Sequence, residues 1–83
     1  MDKILVSIYV LTIDDTFDLF IPINSKVSEL LDIIQNSIVE LSGGIYVPNK
    51  DCLLYSGVDG KVINKNNIVK FSGITNGSRL LLK

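Results

Sequence analysis

The residue types that usually carry out chemistry in proteins are scarce in this sequence. It contains no histidine, the commonest general base and metal ligand, and one cysteine, Cys52, which cannot build a zinc or iron–sulfur site alone. The adjacent Asp14 and Asp15 could in principle bind a metal, but they stand in the short connector TIDDT, where aspartates favour turns. We therefore expect no catalytic residue, no metal and no cofactor, and we predict that the protein is not an enzyme.

Cys52 also bears on the cellular compartment. It lies in the predicted strand CLLYS with no neighbouring base, so we interpret it as a small buried hydrophobe rather than a nucleophile. A single cysteine excludes a disulfide within the chain and fits a reducing cytosol. The longest apolar runs, such as Leu80-Leu81-Leu82, are too short to span a bilayer, and the first residues do not read as a signal peptide. We expect a cytoplasmic protein.

The length of 83 residues predicts one domain, residues 1–83, and a composition of 47% hydrophobic and 20% charged residues is typical of a globular fold. The net charge of −1 hides an uneven distribution. Residues 1–40 carry seven acidic and two basic residues, whereas residues 41–83 carry two acidic and six basic ones. This asymmetry could orient a partner, although ordinary solubilising charge on separate elements would give the same counts.

Apolar periodicity predicts a hairpin, a helix and then short strands. KILVSIYVL and FDLFIPI alternate as strands do, and SKVSELLDIIQNSIVEL places one apolar stripe, from Val27 to Leu41, at helical spacing. Ser25 is the expected N-cap, and Gly43-Gly44 is the expected stop. CLLYS, KVI and SRLLLK are predicted as further short strands. The order predicts an α+β domain in which a mixed sheet of four to five strands wraps on one helix.

With these elements placed, their order resembles the β-grasp fold of ubiquitin, in which the last strand lies between the first and the third. LLYSGVDGKVI, a loop and a terminal strand are similar to the second half of ubiquitin in spacing and apolar phase. Within that fold, the whole sequence resembles the small ubiquitin-like proteins of the YukD/EsaB type, which are encoded with type VII (ESX-like) secretion systems of Gram-positive bacteria. The matching pieces are FDLFIPI, VSELLDII and above all GITNGSRLLLK.

The resemblance implies a cytosolic accessory or regulatory protein that acts by binding other proteins. Members of this family lack the Gly-Gly tail of ubiquitin, and this sequence ends on Lys83, so we expect no covalent attachment. Related β-grasp domains are fused to a membrane component of actinobacterial ESX systems. The resemblance therefore implies docking onto the secretion machinery, with recruitment to the inner face of the membrane.

We predict a partner-binding face on the side of the sheet that turns away from the helix. Alternation places an unusually apolar row there, and an apolar centre with a charged rim is typical of interfaces. Leu54 and Leu81 fall at positions similar to the recognition patch of ubiquitin, and we expect Leu54→Asp to abolish binding without unfolding the domain. A one-residue shift in register would remove the patch. The predicted partner-binding residues are Leu5, Tyr9, Phe20, Leu54, Arg79 and Leu81.

Other functions remain open at this point. The face could serve self-association rather than a different partner. A covalent modifier or sulfur carrier would need an activated C-terminal Gly-Gly. A free-standing protein- or RNA-binding β-grasp domain without any role in secretion fits the basic second half, although the sequence displays no aromatic–basic platform for stacking bases.

Overall fold

The structure, a computed structural model, describes residues 2–83. Over these residues the chain forms four strands and one α-helix, in the order β1 (Lys3–Val10), β2 (Asp15–Pro22), α1 (Val27–Leu41), β3 (Leu54–Ser56) and β4 (Arg79–Leu82). The strands are arranged β2-β1-β4-β3 across one sheet. Because β1 and β4 are parallel while β1–β2 and β3–β4 are antiparallel, the sheet is mixed. The prediction that the last strand lies between the first and the third is confirmed.

The first two strands form the predicted hairpin, with β1 and β2 paired from Lys3–Pro22 to Val10–Asp15. A short 3₁₀ turn, Leu11–Ile13, connects them. It ends at Asp14, whose φ of 49° is left-handed and whose N–H donates to the Leu11 carbonyl at 3.3 Å. Aspartate tolerates this conformation better than most residues, so the interpretation as a turn is confirmed for Asp14, whereas Asp15 is the first residue of β2.

The helix ends where the sequence predicts and begins one residue later than expected. Ser25 is not its N-cap, because Lys26 occupies that position and no side chain caps the first turn. Loop carbonyls take over this role: the N–H of Val27 donates to Asn67 O at 2.9 Å and that of Ser28 to Lys65 O at 3.0 Å. At the other end, Gly43 and Gly44 have φ values of 67° and 85°, as a left-handed glycine cap requires.

The segment after α1 contributes fewer regular elements than expected. KVI is not a full strand, since Val62 makes only an isolated bridge to Tyr55. The loop before β4 contains a 3₁₀ turn, Val69–Phe71. β4 itself lies between β1 and β3, and its Leu80 and Leu82 are buried.

The core lies between α1 and one side of the sheet, which we call the inner face. Its members are mostly aliphatic side chains from all the strands, the helix and the loops: Val6, Ile8, Val10, Ile21, Val27, Leu30, Leu31, Ile34, Ile38, Tyr46, Cys52, Leu54, Ile63, Val69, Ile74, Leu80 and Leu82. The apolar stripe of the helix is thus buried except at Leu41, which is 57% exposed, contrary to the prediction. Leu41 is the last helical residue.

A buried polar pair closes one end of this core. Gln35 of α1 is 5% exposed, and its Oε1 accepts one hydrogen bond from the Tyr46 hydroxyl and another from the Asn49 N–H, both at 2.7 Å. These bonds tie the irregular segment after α1 to the helix. Buried polar groups are tolerated when they are paired in this way.

Candidate protein-binding face

The side of the sheet opposite α1, which we call the outer face, carries three cross-strand rows of side chains and, beyond the first of them, the end pair Lys3–Pro22. The register places Phe20 beside Leu5, then Asp18, Ser7 and Arg79 in a second row, and Thr16, Tyr9, Leu81 and Tyr55 in a third. Apolar and aromatic side chains dominate the first and third rows, while the middle row is polar. The outer face is therefore apolar in two bands with charge between them.

Five of the six predicted binding residues lie on the outer face. Phe20 is 65% exposed and Leu5 is 38% exposed. Arg79 is also exposed, whereas Tyr9 and Leu81 are half-buried by their neighbours in the third row. Antiparallel sheets commonly leave one face to solvent with polar residues there, so an outer face of this composition is unusual.

The prediction for Leu54 is wrong. Its side chain is 0% exposed and belongs to the core. In β3, Leu54 pairs with the buried Leu82, and the next residue, Tyr55, pairs with the outward Leu81. Because side chains alternate along a strand, this register turns Leu54 inward and Tyr55 outward. The change Leu54→Asp would therefore bury a charge and destabilise the fold.

Tyr55 is the residue that sequence reasoning missed. It extends the third row to the edge strand, and the ammonium of Lys83 lies 4.9 Å from the centre of its ring, within cation–π range. The signal was present in the sequence: an inward Cys52 requires an inward Leu54 two residues later and an outward Tyr55. Cysteine is among the most frequently buried residue types, and Cys52 is 4% exposed.

Tyr9 is held in place on the outer face by the hairpin turn. Its hydroxyl donates to Asp14 Oδ1 at 2.5 Å. This hydrogen bond raises the pKa of the Tyr9 hydroxyl above its usual value of 10.0, and desolvation and the charge of Asp14 act in the same direction. A tyrosine fixed in this way would lose little side-chain entropy if a partner covered it.

A shallow depression lies between the middle row and the third row. The middle row also carries the charged residues Asp18 and Arg79. The depression is lined by Ser7, Tyr9, Thr16 and Arg79 together with Leu80. Ser7 is a small residue in this lining, and in the middle row it lies between the carboxylate-bearing Asp18 and the guanidinium-bearing Arg79. The arrangement can receive a protruding side chain and pair with charges of either sign.

The groups considered for chemistry lie elsewhere. Burial raises the pKa of the Cys52 thiol above its ordinary 9.0, although nearby Lys65 opposes this shift, and a buried protonated thiol is a poor nucleophile. Across residues 2–83, no three histidine, cysteine, aspartate or glutamate side chains converge as they would at a metal site. None of the helical segments in that range has the length and apolar character needed to cross a membrane.

Comparison with known proteins identifies similar structures but no similar sequence family. No protein-family model matches the sequence, and no curated protein matches it. The EccD5 ubiquitin-like domain from Mycobacterium xenopi aligns with a TM-score of 0.72 at 22% identity, covering 100% of this chain and 94% of that one. A chain of the MycP5-free ESX-5 inner membrane complex aligns with a TM-score of 0.71 at 18% identity; this protein spans only 21% of its length.

The same fold occurs in a plant protein. The ubiquitin-like domain of an Arabidopsis thaliana protein aligns with a TM-score of 0.70 at 25% identity, covering 100% of this chain and 78% of that chain. The likenesses agree on the architecture despite their low identities. Over residues 2–83 this protein therefore has the ubiquitin-like α+β fold, a mixed sheet of four strands packed on one helix.

Proposed function

We propose that this protein is a ubiquitin-like accessory or regulatory module of a type VII secretion system, and that it acts by non-covalent protein–protein binding rather than by catalysis. The observation that carries the proposal is the outer face. Its third row joins Tyr9, Leu81 and Tyr55 across three strands, and the charges of Arg79 and Lys83 flank that row. Aromatic anchors beside arginine are typical of the energetically important part of protein interfaces.

The link to secretion is supported by a resemblance in sequence and by likenesses in structure. The sequence resembles the YukD/EsaB type in FDLFIPI, VSELLDII and GITNGSRLLLK. The structure is similar to the EccD5 ubiquitin-like domain and to part of a chain in the ESX-5 inner membrane complex. We infer a cytoplasmic protein that docks onto membrane-associated components of such machinery, in a Gram-positive bacterium. Tyr55 joins Leu5, Tyr9, Phe20, Arg79 and Leu81 as the residues proposed to contact the partner.

A second candidate is a nucleic-acid-binding β-grasp module unrelated to secretion. It is favoured by one observation that the sequence did not reveal: Tyr9 and Tyr55 lie on an open sheet face together with Arg79 and Lys83. Aromatic rings and cations on a sheet can stack bases of single-stranded RNA. Asp18 lies on the same face and opposes a phosphate backbone, so we rank this function below protein binding.

The proposed function is tested by affinity purification of the tagged protein from its own host after mild crosslinking, followed by mass spectrometry. We expect membrane-associated secretion components, recovered without an amide bond to the C-terminal carboxylate of Lys83. The matched variants are Leu81→Glu, which places a charge in the third row, and Ile33→Glu, which places the same charge at a 42% exposed position on the helix. Only Leu81→Glu should lose these proteins.

Two outcomes would contradict the proposal. Recovery of ribosomal or RNA-linked proteins would favour the second candidate, and binding of the purified protein to a fluorescent single-stranded RNA would then be lost in Tyr55→Ala. Recovery of secretion components at equal levels with Leu81→Glu and the unmodified protein would reject the outer face as the docking surface.

A further inference from the structure

We propose that the outer face binds a second copy of this chain in a twofold-symmetric dimer, in which Asp18 of each copy pairs with Arg79 of the other. The inference rests on the proposed function in one respect, namely that the outer face is a binding surface. It goes further by naming an occupant and a geometry. The argument uses the distribution of charge on the outer face, the symmetry of its rows and its area.

Charge is segregated across the outer face. The β2 side is acidic, since Asp18 projects from it and the Asp14 carboxylate, which accepts from the Tyr9 hydroxyl, lies just before it; Lys3 of β1 is the one base on this side. The β4 side is basic, since Arg79 projects from that strand and Lys83 reaches over Tyr55 beside it. A surface with one acidic and one basic side is complementary to a second copy of itself that is rotated by 180°, because the acidic side of each copy then faces the basic side of the other.

A twofold axis that runs between the parallel strands β1 and β4, along their direction, provides this rotation. It exchanges the two sides of the face, so β1 of one copy lies over β4 of the other, and the acidic β2 lies over β3, next to the basic β4. It also keeps each row at its own level. Tyr9 then lies over Leu81 of the second copy, and Asp18 comes beside Arg79 of that copy. Such an isologous contact is closed and forms each charge pair twice.

The area of the outer face limits the strength of this dimer. Strands about 4.8 Å apart and about 20 Å long give a flat footprint of roughly 400 Å² per copy. A stable interface buries about 800 Å² per partner, and weak, transient contacts lie below that value. The total accessible surface of the chain is 5155 Å². We therefore expect a weak dimer that forms at high concentration, dissociates as salt screens its charges and leaves the face accessible to another partner.

Charge reversal at the two positions tests the geometry. Asp18→Lys and Arg79→Glu each create two like-charge pairs in a homodimer, and we expect sedimentation equilibrium to show dimerisation weakened by about tenfold or more for each. An equimolar mixture of the two variants should associate as well as the unmodified protein. In that heterodimer the introduced lysine meets the introduced glutamate, and the native Asp18 of one copy meets the native Arg79 of the other. Asp32→Lys on α1 and Lys50→Glu in a loop are the controls, and they should not change association.

The rescue in the mixture separates this proposal from the alternatives. A monomer at every concentration up to the order of 1 mM would overturn it, as would variants that associate normally or a mixture that shows no recovery. Failure of the dimer is distinguishable from failure of the proposed function. A monomer whose Leu81→Glu variant loses secretion components refutes only the dimer, whereas a rescued dimer whose Leu81→Glu variant keeps those components refutes only the docking function.

Discussion

Leu54 and Tyr55 are consecutive residues of β3, and they meet different surroundings on the two sides of the sheet. Leu54 lies in the core against α1, fully removed from solvent, whereas Tyr55 lies half-buried on the outer face beside Leu81 and under Lys83. A Leu54 substitution acts on the folded state as a whole, because its neighbours cannot close the gap that it leaves. Tyr55 can be replaced with far less loss, since part of its surface is already in water.

This difference indicates what each face contributes. Folding alone explains the apolar residues of the inner face, since each removes apolar surface from water. It does not explain why the outer face carries Phe20 at 65% exposure or aromatic rings in its third row. Polar residues there would fold as well and would lower the tendency to aggregate. We propose that binding accounts for this composition.

The largest expected effect is that of Leu54→Ala. It removes fully buried methyl groups and leaves a cavity, so we expect the free energy of unfolding to fall by about 2–5 kcal/mol in urea denaturation. Since a domain of this size has a stability of only about 4–12 kcal/mol, this variant should be close to unfolding. The matched change Tyr55→Ala should cost less. Equal losses at the two positions would contradict the assignment of their faces.

The next effect is that of Gly57→Ala, which tests the contact that brings β3 against β4. A Cβ atom at Gly57 would lie 2.7 Å from the Arg79 carbonyl oxygen, and the Gly57 N–H donates to that same oxygen at 2.8 Å. We expect a loss of about 1–3 kcal/mol, because backbone has to shift. The control Val58→Ala changes a 92% exposed neighbour and should be neutral. A stable Gly57→Ala variant would show that β3 can move without cost.

A smaller effect is expected for Tyr46→Phe. This change removes the hydroxyl that donates to Gln35 Oε1, although the Asn49 N–H still donates to the same oxygen. A loss of about 1 kcal/mol is expected for one intramolecular hydrogen bond. Retention of full stability at neutral pH would show that this buried bond does not contribute.

The raised pKa of Tyr46 also predicts that the stability of the protein falls at alkaline pH. Burial raises the pKa of Tyr46 above its unfolded value of 10.0, so the folded protein keeps this proton at pH values where the unfolded chain loses it. The resulting stability is present below pH 10 and is lost as pH rises from 10 towards the folded pKa. Tyr46→Phe should make this decline in stability less steep. Part of the decline should remain, because the pKa of Tyr9 is raised as well. A decline unchanged in Tyr46→Phe would contradict the assignment.

The smallest effect concerns Cys52, which shares the inner face with Leu54. Because the thiol is buried and its pKa is raised, we expect alkylation in the native protein to be at least about 100-fold slower than in denaturant. Mass spectrometry after timed addition of iodoacetamide measures both rates. Rapid native modification would place Cys52, and with it Leu54, at an accessible position.

The sequence predicted the long elements because their patterns extend over several turns or alternations. The hairpin and α1 each contain enough apolar residues to define a period, and Gly43-Gly44 marks the helix end by its conformation. The start of α1 was missed because its first N–H groups bond to Asn67 O and Lys65 O. These carbonyls lie far along the chain, so local cap preferences carried no information about them.

The candidate site was predicted correctly on the long strand β1 and incorrectly on β3. In β1, eight residues fix which side of the strand is buried. β3 has three residues, LYS, preceded by another leucine, so either leucine could be taken as inward. The pairing of Leu54 with Leu82 confirms the direction that the buried Cys52, two residues earlier, already indicated. The sequence likewise could not predict the segregation of charge on the outer face, because only the strand register places Asp18 and Arg79 in one row.

The account is tested most directly by measuring stability and partner recovery on the same set of variants. The free energy of unfolding of Leu81→Glu should lie within about 1–2 kcal/mol of that of the unmodified protein, and this variant should lose its crosslinked partners. Leu54→Ala should lose stability while its folded fraction still captures them, and Ile33→Glu should change neither quantity appreciably. Partner recovery that persists in Leu81→Glu, or that falls equally in Ile33→Glu, would contradict the claim that the outer face is the binding surface.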